Sequence, residues 1–346
     1  PPPLEPAELP GTDVVFTVRS DGQLFAIPRE IYGWNSWEPR RSFDPAARPD
    51  LVRLGGNRLT AYNWENNASN AGRDYMHQND GHLSPEIVAG AAARAGVESA
   101  RGVGAAVVLT VPIVDHVAAD RMGGGDVMKT PDYLQTRFRR NKSRKGGPLA
   151  ATPDTTDDSV HQDEFVGWVK NAFPEAPIFF SLDNEPDLWS STHPRVHPMP
   201  PTYDEVVARN IEYATAVKDV WPTAGVLGFV SYGYQGYVSL QNAPDAAGKG
   251  LFLEHYLGKM KQAEATAGKR LVDYVDLHWY PEARGGATRI VFETNDEEAV
   301  VEARLQAPRS LWDKEYTESS WIAQARGGPI ALLPWVRDIV ARRLRR

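Results

Sequence analysis

The sequence predicts an α/β fold: a TIM (β/α)8-type barrel in which six strands are countable, preceded by an N-terminal β-hairpin of a small β-sandwich. Two observations carry this expectation. Short apolar runs alternate with longer amphipathic stretches over most of the chain, the pattern of a parallel sheet wrapped by helices. The run Phe179-Phe180-Ser181-Leu182 also passes directly into Asp183-Asn184-Glu185-Pro186, as a buried parallel strand does when it delivers a polar residue to the rim of a barrel. Pro186 has no amide hydrogen and cannot continue a central strand, so the strand ends where Glu185 appears.

Taken in order, residues 1–12 are proline-rich and expected to be extended or without regular structure. Residues 13–30 form the hairpin: Val14 to Val18 and Leu24 to Ile27 flank Asp21-Gly22, a turn dipeptide. Residues 31–346 are the barrel domain, with strands expected over Ile31–Gly33, Leu51–Leu54, Ala105–Val111, Ile178–Leu182, Val226–Val230 and Tyr274–Trp279. Helices are expected from Pro85 to Arg101, Asp157 to Asn171, Tyr203 to Val220 and Leu251 to Gly268. Each begins near Ser, Thr, Asp or Pro and carries spaced apolar residues. The basic run Arg137 to Lys145 reads as a solvated loop. Leu332 to Arg346 reads as the helix after strand six, its arginines suited to a helix C-terminus. A closed barrel needs eight strands, and six would leave open edges and an uncovered interior. The simplest expectation is therefore a C-terminal truncation; completion by another chain or an unfamiliar closure are the alternatives.

Composition excludes several classes. The formal charge of −7 argues against nucleic acid or an anionic membrane as partner. No apolar run approaches the length that crosses a bilayer. Cysteine is absent, which removes disulfides and thiol chemistry. The ten tryptophans are the one compositional oddity: most read as core or rim packing, but flat indole faces also stack on sugar rings.

An acid at a strand end beside a neutral amide is what glycosidic bond cleavage requires. Glu185 would supply the proton, and Asn184 can hold a sugar hydroxyl without competing for it. The plain alternative is a turn cluster, since Asp, Asn and Pro crowd turns. The segment Asp183-Asn184-Glu185-Pro186-Asp187-Leu188-Trp189 through Pro198 resembles the acid/base motif of glycoside hydrolase family 44. So do Val52-Arg53-Leu54-Gly55-Gly56-Asn57 through Asn67, Thr110-Val111-Pro112 with Ala118-Ala119-Asp120 and Gly123-Gly124-Gly125-Asp126, and Ala307-Pro308-Arg309-Ser310-Leu311-Trp312-Asp313. The resemblance runs from about Ile31 to the C-terminus.

The resemblance implies a retaining endo-β-1,4-glucanase acting on cellulose or xyloglucan, with a TIM barrel and a β-sandwich. Glu185 would be its general acid/base. The family nucleophile stands in a Thr-Glu-Tyr motif on the seventh strand, and this sequence contains no such tripeptide. Neither Glu315 nor Glu318 is assigned that role. Arg53 resembles the basic residue that keeps the nucleophile ionised; a structural ion pair at the rim is the alternative. His278 and Tyr280 alternate with Trp279 and so share one side of their strand, where His278 would meet Glu185 and Tyr280 the nucleophile; a satisfied His and Tyr buried in the core layer is the alternative. Trp64 and Trp189 are candidate sugar platforms or loop anchors. His193 and His197 stand four apart, but Pro194 and Pro198 argue against a helical metal face. No cofactor is required; a structural Ca²⁺ near Gly123-Gly124-Gly125-Asp126 is a weaker expectation. The expected partner is a β-glucan, the expected state a secreted monomer. The alternatives are a xylanase or mannanase on the same barrel, or a polysaccharide-binding protein without catalysis.

Overall fold

The computed structural model describes residues 26–36, 38, 42–44, 48–291 and 294–344. Among these, the main sheet holds six parallel strands, β1 (Gly33–Ser36), β2 (Leu51–Leu54), β3 (Ala106–Val111), β4 (Ile178–Leu182), β5 (Gly225–Ser231) and β6 (Tyr274–Leu277), side by side in chain order. They curl into a half-barrel of the TIM type. The order follows from right-handed crossovers through helices on the outer face. The main ones are α1 (Ala91–Gly102), α2 (Gln162–Ala172), α3 (Tyr203–Val220), α4 (Phe252–Ala267) and α5 (Leu332–Leu344). Every residue of β3 is buried, as is expected of a strand covered on both faces. The expected hairpin over 13–30 lies mostly outside the described residues. None of the described helices is long and apolar enough to cross a membrane.

Three local departures from expectation have identifiable causes. The first strand begins two residues late because Arg29–Ile31 closes a 3-10 turn, with the Tyr32 amide donating to the Arg29 carbonyl at 3.0 Å. The helix expected from Pro85 starts instead at Ala91, behind Gly90 in the left-handed region. There the buried Asn67 side chain donates to the Glu86 and Val88 carbonyls and accepts from the Ala92 amide, capping the helix from outside. The basic run is not a loop either. Phe138–Lys142 is a strand between His116–Ala118 and Ser159–His161. Arg137, only 6% exposed, grips Asp120 through two bonds of 2.6 and 3.0 Å. The ladder to Ser159–His161 also removes residues before Gln162 from α2.

Helix α3 follows its sequence signal to the residue. The Thr202 hydroxyl accepts from the Glu205 amide at 3.0 Å, and the Thr-x-x-Glu spacing is that of a capping box.

One buried group ties the strand ends together. Asp183, fully shielded, follows β4 in a left-handed conformation (φ 73°). Its carboxylate accepts from Thr60 Oγ1 at 2.6 Å, the Ile113 and Val114 amides at 2.7 and 3.3 Å, the Asn184 amide at 2.8 Å and Trp189 Nε1 at 3.4 Å. Burial pushes this carboxyl up, against the pull of those donors. Replacing Asp183 by Ala strands buried donors from three segments, so unfolding in urea should show a loss of about 3–5 kcal/mol. A loss below about 1 kcal/mol, the worth of one ordinary hydrogen bond, would contradict the anchoring role.

Candidate active site

The carboxyl ends of the parallel strands converge on a cleft of about 470 Å³, lined by Asn35, Arg53, Asn57, Asp74, Asn184, Glu185 and the segment after β6 that carries His278, Trp279 and Tyr280, together with Asp276. This is the face on which barrel proteins assemble their sites. Glu185, 8% exposed, follows β4 with φ 48°, and its amide donates to the Val230 carbonyl at 2.9 Å. The left-handed turn, unusual for a non-glycine residue, swings the carboxyl out of the strand register and into the cleft.

His278 and Tyr280 both reach Glu185. His278 Nδ1 lies 2.6 Å from Glu185 Oε1, and whichever partner holds the proton donates it to the other. The Tyr280 hydroxyl donates to the same oxygen at 3.4 Å. Burial, aided by the charge on Glu185, pushes the Tyr280 phenol up to about 12, so it stays a donor at neutral pH. The sequence places both residues on one side, and among the described residues the Tyr280 hydroxyl, like His278, reaches Glu185.

Arg53 and Asn184 meet as well. Arg53 donates through Nη2 to Asn184 Oδ1 and through Nη1 to Asn35 Oδ1, each at 2.9 Å. Asn184 Nδ2 in turn donates to Asn57 Oδ1 at 3.0 Å, and Asn57 Nδ2 to Asp74 Oδ2 at 2.9 Å. A primary amide has two N–H donors, so Asn184 keeps one for a ligand hydroxyl. The rim ion pair considered for Arg53 is replaced, among the described residues, by these two amide contacts.

The two tryptophans proposed as platforms are not in the cleft. Trp64 is 1% exposed and packs against Phe165 and Trp168, at ring distances of 5.7 and 6.2 Å. Trp189 is fully buried, donates to Asp183 and lies 5.0 Å from the His197 ring. Both anchor the loops that carry the site. His193 is also buried, and burial pushes its imidazole down to about 4, keeping it neutral. His197 contacts Glu205 at 2.9 Å. Asp126 is engaged by Arg195 and by the Met128 amide, and no group of three or more His, Asp or Glu among the described residues is arranged to hold a metal ion. Glu318 is buried and accepts from Ser310 Oγ at 2.6 Å, and neither it nor Glu315 lines the cleft.

The sequence reading assigned no role to Asn35, Asn57, Asp74 or Asp276, which also line the cleft. Gly55-Gly56-Asn57 at the end of β2 carries a usable signal, since a glycine pair closing a strand marks a turn at the barrel rim. Asn35 carries none.

Glu65, beside Trp64, is 6% exposed. Burial, with Asp157, Glu164 and Asp154 adding repulsion, pushes its carboxyl up to about 8, Arg139 opposing. Its folded value lies above its unfolded one, so its stabilising contribution is complete below the unfolded value and is lost as pH rises through about 8. Thermal melts should therefore fall more between pH 6 and pH 9 for the unmodified protein than for Glu65→Gln. Equal falls would show that Glu65 does not titrate in this range.

Residues 68–283 match the model of glycoside hydrolase family 44. The chain is 38% identical to endoglucanase A of Paenibacillus lautus over 353 residues, covering 95% of this chain and 48% of that protein. It is 40% identical to the beta-mannanase/endoglucanase A of Caldicellulosiruptor saccharolyticus, covering 94% of this chain and 26% of the relative. A solved Paenibacillus polymyxa xyloglucanase of family 44, with xyloglucan, superposes with a TM-score of 0.84 at 36% identity, over 91% of this chain and 64% of its own. This chain thus spans about half, or less, of the curated relatives it matches. By its motifs, its half-barrel and these similarities, the chain belongs to glycoside hydrolase family 44.

Proposed function

We propose that this chain acts as a retaining endo-β-1,4-glucanase, with Glu185 as the proton donor and acceptor. One observation carries the reading: a carboxyl at the end of a central strand faces an open cleft and is held on one oxygen by His278 and Tyr280. Its other oxygen is left for the glycosidic oxygen of a bound glucan. Glu185 would protonate the leaving oxygen as the bond breaks, then take a proton from the incoming water. Asn184 would hold a sugar hydroxyl on the same side with its second N–H. The retaining mechanism needs a second carboxylate about 5–5.5 Å away, and none is assigned to that role within residues 1–346.

The relatives' names, endoglucanase, mannanase and xyloglucanase, all denote enzymes of β-linked polysaccharides, and β-glucan is the substrate class this reading adopts. The proton transfers run through carboxyl groups and call for no metal or organic cofactor. A polymer that cannot enter a cell places such an enzyme outside it.

Reducing-sugar release from carboxymethyl cellulose and xyloglucan, measured beside retention on a polysaccharide gel, tests the reading. Glu185→Gln should lower release by about 10²–10⁴-fold with retention kept. Retention by the unmodified protein without any release would move the reading to a binding protein.

A further inference from the structure

Asp187 lies two residues beyond Glu185 on the short 3-10 turn Pro186–Leu188, and it is 3% exposed. Its carboxylate leaves its own segment to grip the end of β5. Oδ1 accepts from the Tyr232 amide at 3.0 Å, and Oδ2 accepts from the Ser231 hydroxyl at 3.1 Å. The seat is close: a Cβ on Gly236 would stand 2.2 Å from Asp187 Oδ2 and 2.0 Å from Ser231 Oγ. Only glycine fits there, so the helix Tyr234–Ser239 presses its backbone onto the carboxylate.

The gripped residue matters to the acid. The Tyr232 ring lies 5.2 Å from the Tyr280 ring, and Tyr280 donates to Glu185. A path of direct contacts therefore runs from Asp187 through Tyr232 to Tyr280 and back to Glu185. We propose that Asp187 is a positioning residue for the acid/base carboxyl: it fixes Tyr232 so that Tyr280 is braced against Glu185, and it sets a buried negative charge beneath Glu185. This rests on the reading of Glu185 as the acid.

The titratable groups facing Asp187 are Glu185 on its own segment, Tyr232 at the end of β5, and Tyr237 on the helix Tyr234–Ser239. Tyr237 has a buried hydroxyl without a partner among the described residues, and it also feels Asp276 and Tyr280. Burial first, and then the charge on Glu185, push the Asp187 carboxyl up to about 6, so at neutral pH it is ionised and repels a second negative charge on Glu185.

Two variants separate the charge from the grip. Asp187→Asn keeps the shape and removes the charge. It should move the alkaline limb of kcat/KM to lower pH by about half a unit or more, with KM within about twofold of the unmodified enzyme. Asp187→Ala removes the grip as well. Its crystal structure should show the Tyr280 hydroxyl beyond hydrogen-bond reach of Glu185, and kcat should fall about tenfold or more. A folded Asp187→Asn with an unmoved limb, or an Asp187→Ala structure with Tyr280 still on Glu185, overturns the proposal. A merely structural role would lower the melting temperature and leave the limb in place. Should the unmodified protein release no sugar, the glycosidase reading fails, and the position of Tyr280 in Asp187→Ala still decides this one.

Discussion

The arrangement of the site depends on one fully buried carboxylate. Asp183 sits where β4 ends, and its donors come from Thr60 after β2, from Ile113 and Val114 after β3, and from Asn184 and Trp189 on its own strand's exit. Strand ends are where a parallel sheet runs out of ladder partners, so the chain there must find hydrogen bonds elsewhere. Asp183 supplies them at the centre of the half-barrel. Burial raises the energy of its charge, and the surrounding donors offset that cost. The result fixes two consecutive functional residues, Asn184 and Glu185, in a turn with Asp183 and Glu185 both left-handed. Such backbone persists only where its surroundings over-determine it.

From this anchor the site is built in two halves of opposite character. On one side, three amides link the Arg53 guanidinium to Asp74 in a hydrogen-bond chain that runs from Asn35 through Arg53, Asn184 and Asn57. Amides orient one another without moving protons and leave N–H and C=O groups matched to sugar hydroxyls. On the other side, His278 and Tyr280 converge on the carboxyl oxygen, and the Tyr280 ring is braced in turn by Tyr232. Titratable partners thus lie on one flank of Glu185, and the amide network on the other.

The central strands were legible because a strand covered on both faces reads as a nearly continuous apolar run; Leu51–Leu54 and Ile178–Leu182 match their sequence expectation residue for residue. The helix Tyr203–Val220 was legible because its cap is local, three residues from donor to acceptor. Departures occur where a distant side chain takes over. Asn67 caps a helix more than twenty residues away, and the contact between Asn184 and Asn57 spans 127 positions. Glu185, His278 and Tyr280 were found because strand-end position and alternation mark them. Trp64 and Trp189 stayed open between platform and anchor because indoles near an acid look alike in sequence whether they face a sugar or the core, and burial is decided by tertiary packing.

The state of Arg53 follows from the same division of labour. An arginine at the end of a barrel strand has a carboxylate as its usual neighbour, and such a pair would neutralise its charge. Here the guanidinium is held by the oxygens of Asn35 and Asn184, which fix its plane and leave its charge uncompensated by any carboxylate within ion-pair distance among the described residues. Its charge is already felt at the Tyr280 hydroxyl, which it favours in the ionised form against the larger effect of burial. A fixed cation with neutral supports lowers the energy of negative charge in the cleft and does so without reorganising, the condition under which electrostatic stabilisation is most effective. Asn184, which accepts from Arg53 Nη2, is also the residue immediately before Glu185. The neutral residue before Glu185 thus holds the cation in place without adding a second charge to the cleft.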